Sequence, residues 1–199
     1  MNLVNETRVA VAVLPVADFK DHLRMGTGFS ETALQDTVLE GYLRAAIAAV
    51  EARTGKIVLA RDFTWSLEGW PDTRCLSLPV APFRALISLT SRAPDGAGTL
   101  YNPILFRTVE DTHRPEIRPR GLAFPSLPTD NLVEVKFRAG FGEAWDEVPS
   151  DLAQAVLLLA AHYYEFRHET ALGEGCMPFG VTSLLQGYKP LRVGFGGAA

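Results

Sequence analysis

Apolar positions recur at helical spacing near both ends of the chain and at short, partly alternating spacing in its middle. Over residues 14–25, "LPVADFKDHLRM", Val16, Phe19 and Leu23 fall on one helical face, and Pro15 suits a first-turn position. "GTGFS" breaks that helix. Ser30 then caps a second one, with Glu31 in its first turn, running to about Thr54. Leu34, Val38, Tyr42, Ala45, Ala49 and Ala52 keep helical spacing there, and Gly55 is a natural stop. The stretch "RAAIAAVEA" implies close approach of another helix. From Lys56 to Trp145 the pattern changes. "FTWSL", "CLSLP", "ALISLTS", "ILFRTV" and "LVEVKF" read as short strands, and Pro94-Asp95-Gly96 reads as a turn. "RPEIRPRGLAFPSLPTD" is too rich in proline for a central strand.

Helix returns at "VPSDLAQAVLLLAAHYYEFRHE", with Ser150 as N-cap and Asp151 in the first turn. Between Leu152 and Tyr164 only Gln154 and His162 are strongly polar, so this helix is covered on several sides, by its own domain or by neighbouring subunits. A glycine-rich loop, "LGEGCMPFG", a short helix, "VTSLLQGY", and an apolar, basic tail, "KPLRVGFGGAA", complete the chain. The pattern predicts one α+β domain over 1–199. Its core is mainly helical, over 14–55 and 149–187. A small antiparallel β unit is inserted over 56–148, and an extended tail covers 188–199.

Composition narrows the function. The 199 residues are 47% hydrophobic and 21% charged, ordinary values for a soluble globular chain long enough to bury a core. The 19 Lys and Arg against 23 Asp and Glu give a net charge of -4, without the basic excess of a protein whose main task is to grip nucleic acid. Cys75 and Cys176 stand far apart and outside any CxxC pair, as reduced cytoplasmic thiols do. The purest apolar run, "AVLLLAA", is far too short to span a bilayer, and nothing points to secretion or a membrane.

The candidate chemistry is concentrated in "HYYEFRHE". His162, Glu165 and His168 are spaced three and three, whereas a zincin helix needs two histidines four apart with glutamate directly after the first. The helical rotation separates His162 from His168, so the alternative of a metal-dependent enzyme would need a third element. The structural reading makes His162 a half-buried helix residue and uses Arg167 and His168 to complement the helix C-terminus. "GTGFS" and "AGFGE" match no phosphate-binding loop, and no serine lies in a GxSxG context. Trp65, Trp70 and Trp145 could stack a base, but without a basic surround they read as core or subunit-contact residues. No catalytic residue, cofactor or metal is expected.

The order of elements resembles the head–tail connector, or adaptor, proteins of long-tailed bacteriophages, prophages and gene transfer agents. The resemblance covers residues 14 to 193 and is most specific in "FRAGFGEAWDEVPSDLAQAVLLLAAHYYEFRHE" and "MPFGVTSLLQGY". It implies a structural protein that forms a ring, commonly of twelve copies, beneath the portal. Such a ring extends the DNA channel without sequence-specific binding and carries the next neck or tail protein, a stopper or tail terminator. A stopper or tail-completion protein is the alternative within the same particle, though the long helix favours the adaptor. The implied location is the neck of a phage or phage-like particle, after assembly in the bacterial cytoplasm. In the family the C-terminal segment commonly contacts the portal, which here points to Tyr188, Lys189, Pro190, Leu191, Arg192, Val193 and Phe195. The Ala-rich and apolar helices place subunit contacts at Ala45, Ala48, Ala49 and Ala52, and at Val156, Leu159, Ala160 and Tyr163.

Overall fold

A computed structural model describes residues 2–24, 33–128, 130–167 and 177–189. Helix α1 spans Val16–His22, α2 Ala33–Thr54, α3 Ser150–Glu165 and α4 Phe179–Leu184. Ser30 and Glu31, the expected cap of α2, lie outside the described residues. At its other end α2 stops as expected: Gly55 takes φ +67, and the Thr54 hydroxyl donates to Val50 O at 2.7 Å and accepts from Lys56 N at 3.1 Å. The face of α2 that enters the core carries Leu39, Leu43, Ala46, Ile47 and Val50. The stripe read from the sequence lies largely on the other side: Val38 is 51% exposed, and Ala45 and Ala52 are exposed. Both faces of α2 are apolar, and the larger Leu and Ile side chains gain more from burial, about 1.5–3 kcal/mol each.

Helix α3 runs between α2 and α4, and α1 presses Phe19 into the same cluster with no surface left exposed. Ser150 is not the cap expected. Pro149, which makes no side-chain cap bond, occupies that position, and Ser150 is the first helical residue. The side chain of Asp151 takes up one helix-end donor, accepting from Leu152 N at 2.8 Å.

Among the described residues eight strands form two antiparallel sheets. β1 (Asn2–Asn5), β2 (Arg61–Leu67), β4 (Phe83–Arg92), β5 (Gly98–Leu100) and β8 (Leu132–Ala139) make one, in the order β1-β2-β8-β4-β5. β3 (Leu76–Ser77), β6 (Phe106–Val109) and β7 (Glu116–Pro119) make the other, in the order β3-β7-β6. Alternation on β8 is complete. Val133, Val135, Phe137 and Ala139 are buried, while Glu134, Lys136 and Arg138 face the other way. On that second face Arg138 binds both oxygens of Asp62, at 2.7 and 3.1 Å, and holds its carboxyl below the ordinary range. The Pro94-Asp95-Gly96 turn closes the β4–β5 hairpin as expected, with Gly96 at φ +88 and Ala97 N donating to Asp95 Oδ1 at 2.9 Å.

Three expectations need correction. β7, from the proline-rich stretch, is a central strand. Pro115 and Pro119 bracket it, so Ile117 and Arg118 still make the ladder. β1, not read as a strand, pairs with β2 through Asn2–Asn5. The fold is α+β but not mainly helical, because the hydrophobic core has two parts. One is built by the helices, and the other, around Trp65, Leu89, Ile117 and Phe137, by the sheets.

Residues 55–61 join the two parts. On one side Ile57 N donates to Ala81 O at 2.7 Å, and Ala81 N to Gly55 O at 3.1 Å. On the other, Ala60 N donates to Gly142 O at 2.7 Å, and Phe141 N to Ile57 O at 3.2 Å. Glu51 of α2 accepts from Val58 N at 2.9 Å and pairs with Arg61 at 2.5 Å. Burial still outweighs the attraction of Arg61 and raises the carboxyl pKa of Glu51. Lys56, 1% exposed, donates to Thr112 O at 2.5 Å, and burial lowers its pKa against the pull of Asp111.

A side chain cannot enter this junction at residue 140. Gly140 has φ +139, and an added Cβ would lie 2.4 Å from Ala60 Cα. Gly140→Ala is expected to cost about 2–4 kcal/mol of stability, from backbone strain and overpacking together. Gly96→Ala, where no atom lies within 4 Å of the added Cβ, is expected to cost about 1 kcal/mol. Urea denaturation of the two variants checks the ranking.

Candidate assembly surfaces

The outer face of α2 is apolar and small. Val38, Gly41, Ala45, Ala48 and Ala52 are exposed along it, and Ala49 is half-buried at its margin. These positions lie roughly opposite Leu43 and Val50 around the helix, so the chain's own core does not cover them. On α3 the expected contacts divide. Tyr163 is half-buried, and burial raises its hydroxyl pKa. Val156, Leu159 and Ala160 are at most 1% exposed, covered by the chain's own helices. The all-round apolar character of α3 is therefore explained within one subunit, and these three residues leave no surface for a neighbour.

The expected portal-binding segment divides in the same way. Tyr188 belongs to the folded body. Its hydroxyl donates to Asp151 Oδ1 at 2.6 Å, and its ring packs edge-on against Phe141 at 5.9 Å. Burial, with the adjacent Asp151 carboxylate, pushes its pKa well up. The 3-10 turn Gln186–Tyr188 is thereby fastened to the start of α3, and Lys189 is half-buried beside it. Pro190, Leu191, Arg192, Val193 and Phe195 lie outside the described residues.

At the α3 C-terminus Arg167 donates to Tyr164 O at 2.7 Å and stacks on the Tyr164 ring at 4.7 Å, closing the helix as expected. His162 is half-buried. Its ring lies 4.7 Å from that of Phe166, and its Nε2 has no hydrogen-bond partner among the described residues. It borders a pocket with His22, Leu158, Glu165 and Val181. His168 lies outside the described residues. Among those described, no group of three or more His, Cys, Asp or Glu side chains is placed to hold a metal ion. Cys75 is a free thiol whose pKa is raised by burial and then by Asp72, the reverse of an activated cysteine, and Cys176 lies outside the described residues. Trp65 is core, and Trp145 packs on the helical cluster. Trp70 stacks on Phe124 at 4.3 Å and donates to Pro125 O at 2.8 Å. Among the described residues no helix is long and apolar enough to cross a membrane.

Two surface features were not read from the sequence. Phe179, at the start of α4, is 88% exposed, and only its place after Pro178 hinted at it. Arg84, Arg107 and Arg120, far apart in sequence, line one pocket between the two sheets.

No protein-family model matches the chain, and neither does any curated protein. Solved structures do. A chain in the neck of an empty GTA particle, computed with C6 symmetry, has a TM-score of 0.89 and 44% identity, over 98% of this chain and 99% of that one. A chain in the virion of a native gene transfer agent (GTA) particle has a TM-score of 0.86 and 44% identity, with the same coverage. A chain in the neck of a native GTA particle, computed with C12 symmetry, has a TM-score of 0.84 and 41% identity over 98% and 99%.

The division of α2 and α3 into outer and inner positions predicts opposite results for one substitution. Ala160→Trp is expected to destabilise the isolated chain by at least about 1–3 kcal/mol through overpacking. Ala45→Trp is expected to change its stability by less than about 0.5 kcal/mol. Tyr188→Phe, which removes the bond to Asp151, is expected to cost about 1 kcal/mol. Denaturant midpoints of the three variants decide each point.

Proposed function

The chain belongs to the neck connector family of gene transfer agents and phages, and on that premise we propose that it acts as the adaptor ring beneath the portal. It is a structural component of the particle neck, not an enzyme. The observation that carries this reading is the nearly full-length match, at 44% identity, to a chain of a GTA neck. In the proposed role about twelve copies close a ring, a number supported by the C12 symmetry of one such neck. The ring extends the DNA channel, binds the portal on one side and carries the next neck or tail protein on the other. It assembles in the bacterial cytoplasm.

The outer face of α2, with Ala45, Ala48 and Ala52, supplies the subunit contact, joined by Ala49 and by Tyr163 of α3. Small side chains let a neighbouring element approach the helix closely, and their burial needs no second layer from the chain itself. The portal contact falls to the residues beyond Tyr188: Lys189, Pro190, Leu191, Arg192, Val193 and Phe195 alternate apolar and basic groups. Proline and the following glycines disfavour helix, so an extended segment laid on a partner's strand edge or groove fits them. Repetition around the ring multiplies many weak attachments.

Two variants test the contacts. A chain ending at Lys189 keeps the Tyr188–Asp151 bond and is expected to fold with unchanged stability. In particle-producing cells it is expected to give DNA-filled heads that lack tails or leak DNA. Normal tailed particles from that truncation would remove the portal contact from this segment. Ala45→Trp is expected to leave the subunit folded but to abolish necks in electron micrographs; normal necks would remove α2 from the subunit contact.

A further inference from the structure

Between the two sheets lies a pocket of about 360 Å³. One wall is β4 from Phe83 to Leu86 and the other is β6 from Phe106 to Thr108. Among the described residues both walls are strand edges without a partner. β4 has β8 on one side, but β5 pairs with it only from Thr90 onward, and β6 ends the order of its own sheet. Three exposed arginines line the pocket: Arg84, Arg107 and Arg120. The acidic residue among the lining is Glu110.

Their state differs from that of the other arginines on the sheets. Arg61, Arg92, Arg118 and Arg138 each pair with a carboxylate. Among the described residues no carboxylate pairs with Arg84, Arg107 or Arg120. Backbone carbonyls fix two of them in place: Arg84 Nη1 donates to Phe141 O at 2.6 Å, and Arg120 Nε to Phe106 O at 3.2 Å. Each of these bonds uses one of the five N–H donors of a guanidinium. Arg107 stands directly opposite Arg118 in the β6–β7 ladder, where like charges cost stability. A chain of net charge -4 thus gathers at one gap three cations that pair with no carboxylate among the described residues.

We propose that this pocket binds phosphodiester groups, and that Arg84, Arg107 and Arg120 hold the backbone of double-stranded DNA without reading its sequence. Guanidinium groups match phosphate oxygens in paired hydrogen bonds, and an anion there offsets the like charge of Arg107 opposite Arg118. An extended segment of another copy's tail is a poor occupant, because Lys189 and Arg192 make that tail basic. The proposal rests on the adaptor reading only for the source of the anion, a duplex passing through the ring. One weak site per copy, repeated around the ring, would centre the duplex without arresting it.

The test uses the full chain and a labelled duplex of about 16 base pairs, followed by fluorescence anisotropy from about 20 to 200 mM salt. Binding is expected to weaken with salt at a log–log slope of about -2 to -3, as for three neutralised phosphates. Arg84→Gln, Arg107→Gln and Arg120→Gln together are expected to lower affinity about tenfold or more and to remove most of that slope. Arg107→Gln alone, which breaks no hydrogen bond of the fold, is expected to reduce the slope by about one, and it serves if the triple variant is unstable. Arg24→Gln, Arg53→Gln and Arg74→Gln together make the same charge change at exposed sites elsewhere and are expected to leave binding within about twofold. Any of three results would overturn the proposal: no binding at the lowest salt, an equal loss in the control variant, or polyglutamate competing as well as DNA. The last would assign the pocket to an acidic protein surface. Neck assembly is read separately. A chain that binds duplex through these arginines but never enters necks would contradict the adaptor role and leave the pocket standing, and the converse holds.

Discussion

The strap of residues 55–61 is the constraint on which the other parts depend. It leaves α2 at Gly55 and enters the five-stranded sheet at Arg61, one of three chain segments that join helices and sheets, beside residues 6–15 and 140–149. Its backbone is also hydrogen-bonded on both sides, to Ala81 just before β4 and to Phe141 and Gly142 just after β8. Glu51 reaches back from α2 to hold Val58 N and Arg61. The two hydrophobic clusters are tied here by a backbone ladder with a half-buried ion pair at its end. Gly140 is required because the strap passes where a Cβ would sit.

Coupling of this kind suits a subunit of a particle neck. Such a subunit must present fixed surfaces to copies of itself and to the proteins above and below. The helical part offers an uncovered small-residue face on α2, and the sheet part offers the arginine-lined gap between β4 and β6. The energetic role of α3 is different from its appearance in sequence. Its apolar circumference is used up by α1, α2 and α4, and it acts as the central post of the subunit.

Much of this arrangement was legible in the sequence. The helices, the strands of the middle region and the Pro94-Asp95-Gly96 turn follow from periodicity and turn chemistry. What periodicity could not decide was which side of α2 faces inward, because both sides are apolar; side-chain size decided it in favour of Leu43 and Ile47. It also could not separate burial within a subunit from burial between subunits, which is why Val156, Leu159 and Ala160 were read as contacts. β7 was misjudged because prolines at the ends of a four-residue strand cost little, unlike prolines inside a long one. Tyr188 looked like part of a free tail because its partner, Asp151, is 37 residues away. The arginine pocket is assembled from three separate segments, and no local pattern announces it.

The central claim is that this chain forms a ring in the particle neck, with α2 turned toward the neighbouring copy. Cryo-electron microscopy of the neck of particles containing this chain tests it most directly. The account predicts a closed ring of these subunits between portal and tail, with Ala45 and Ala48 covered by the adjacent copy. Density for the chain elsewhere in the particle, or a ring in which that face of α2 remains open to solvent, would contradict it.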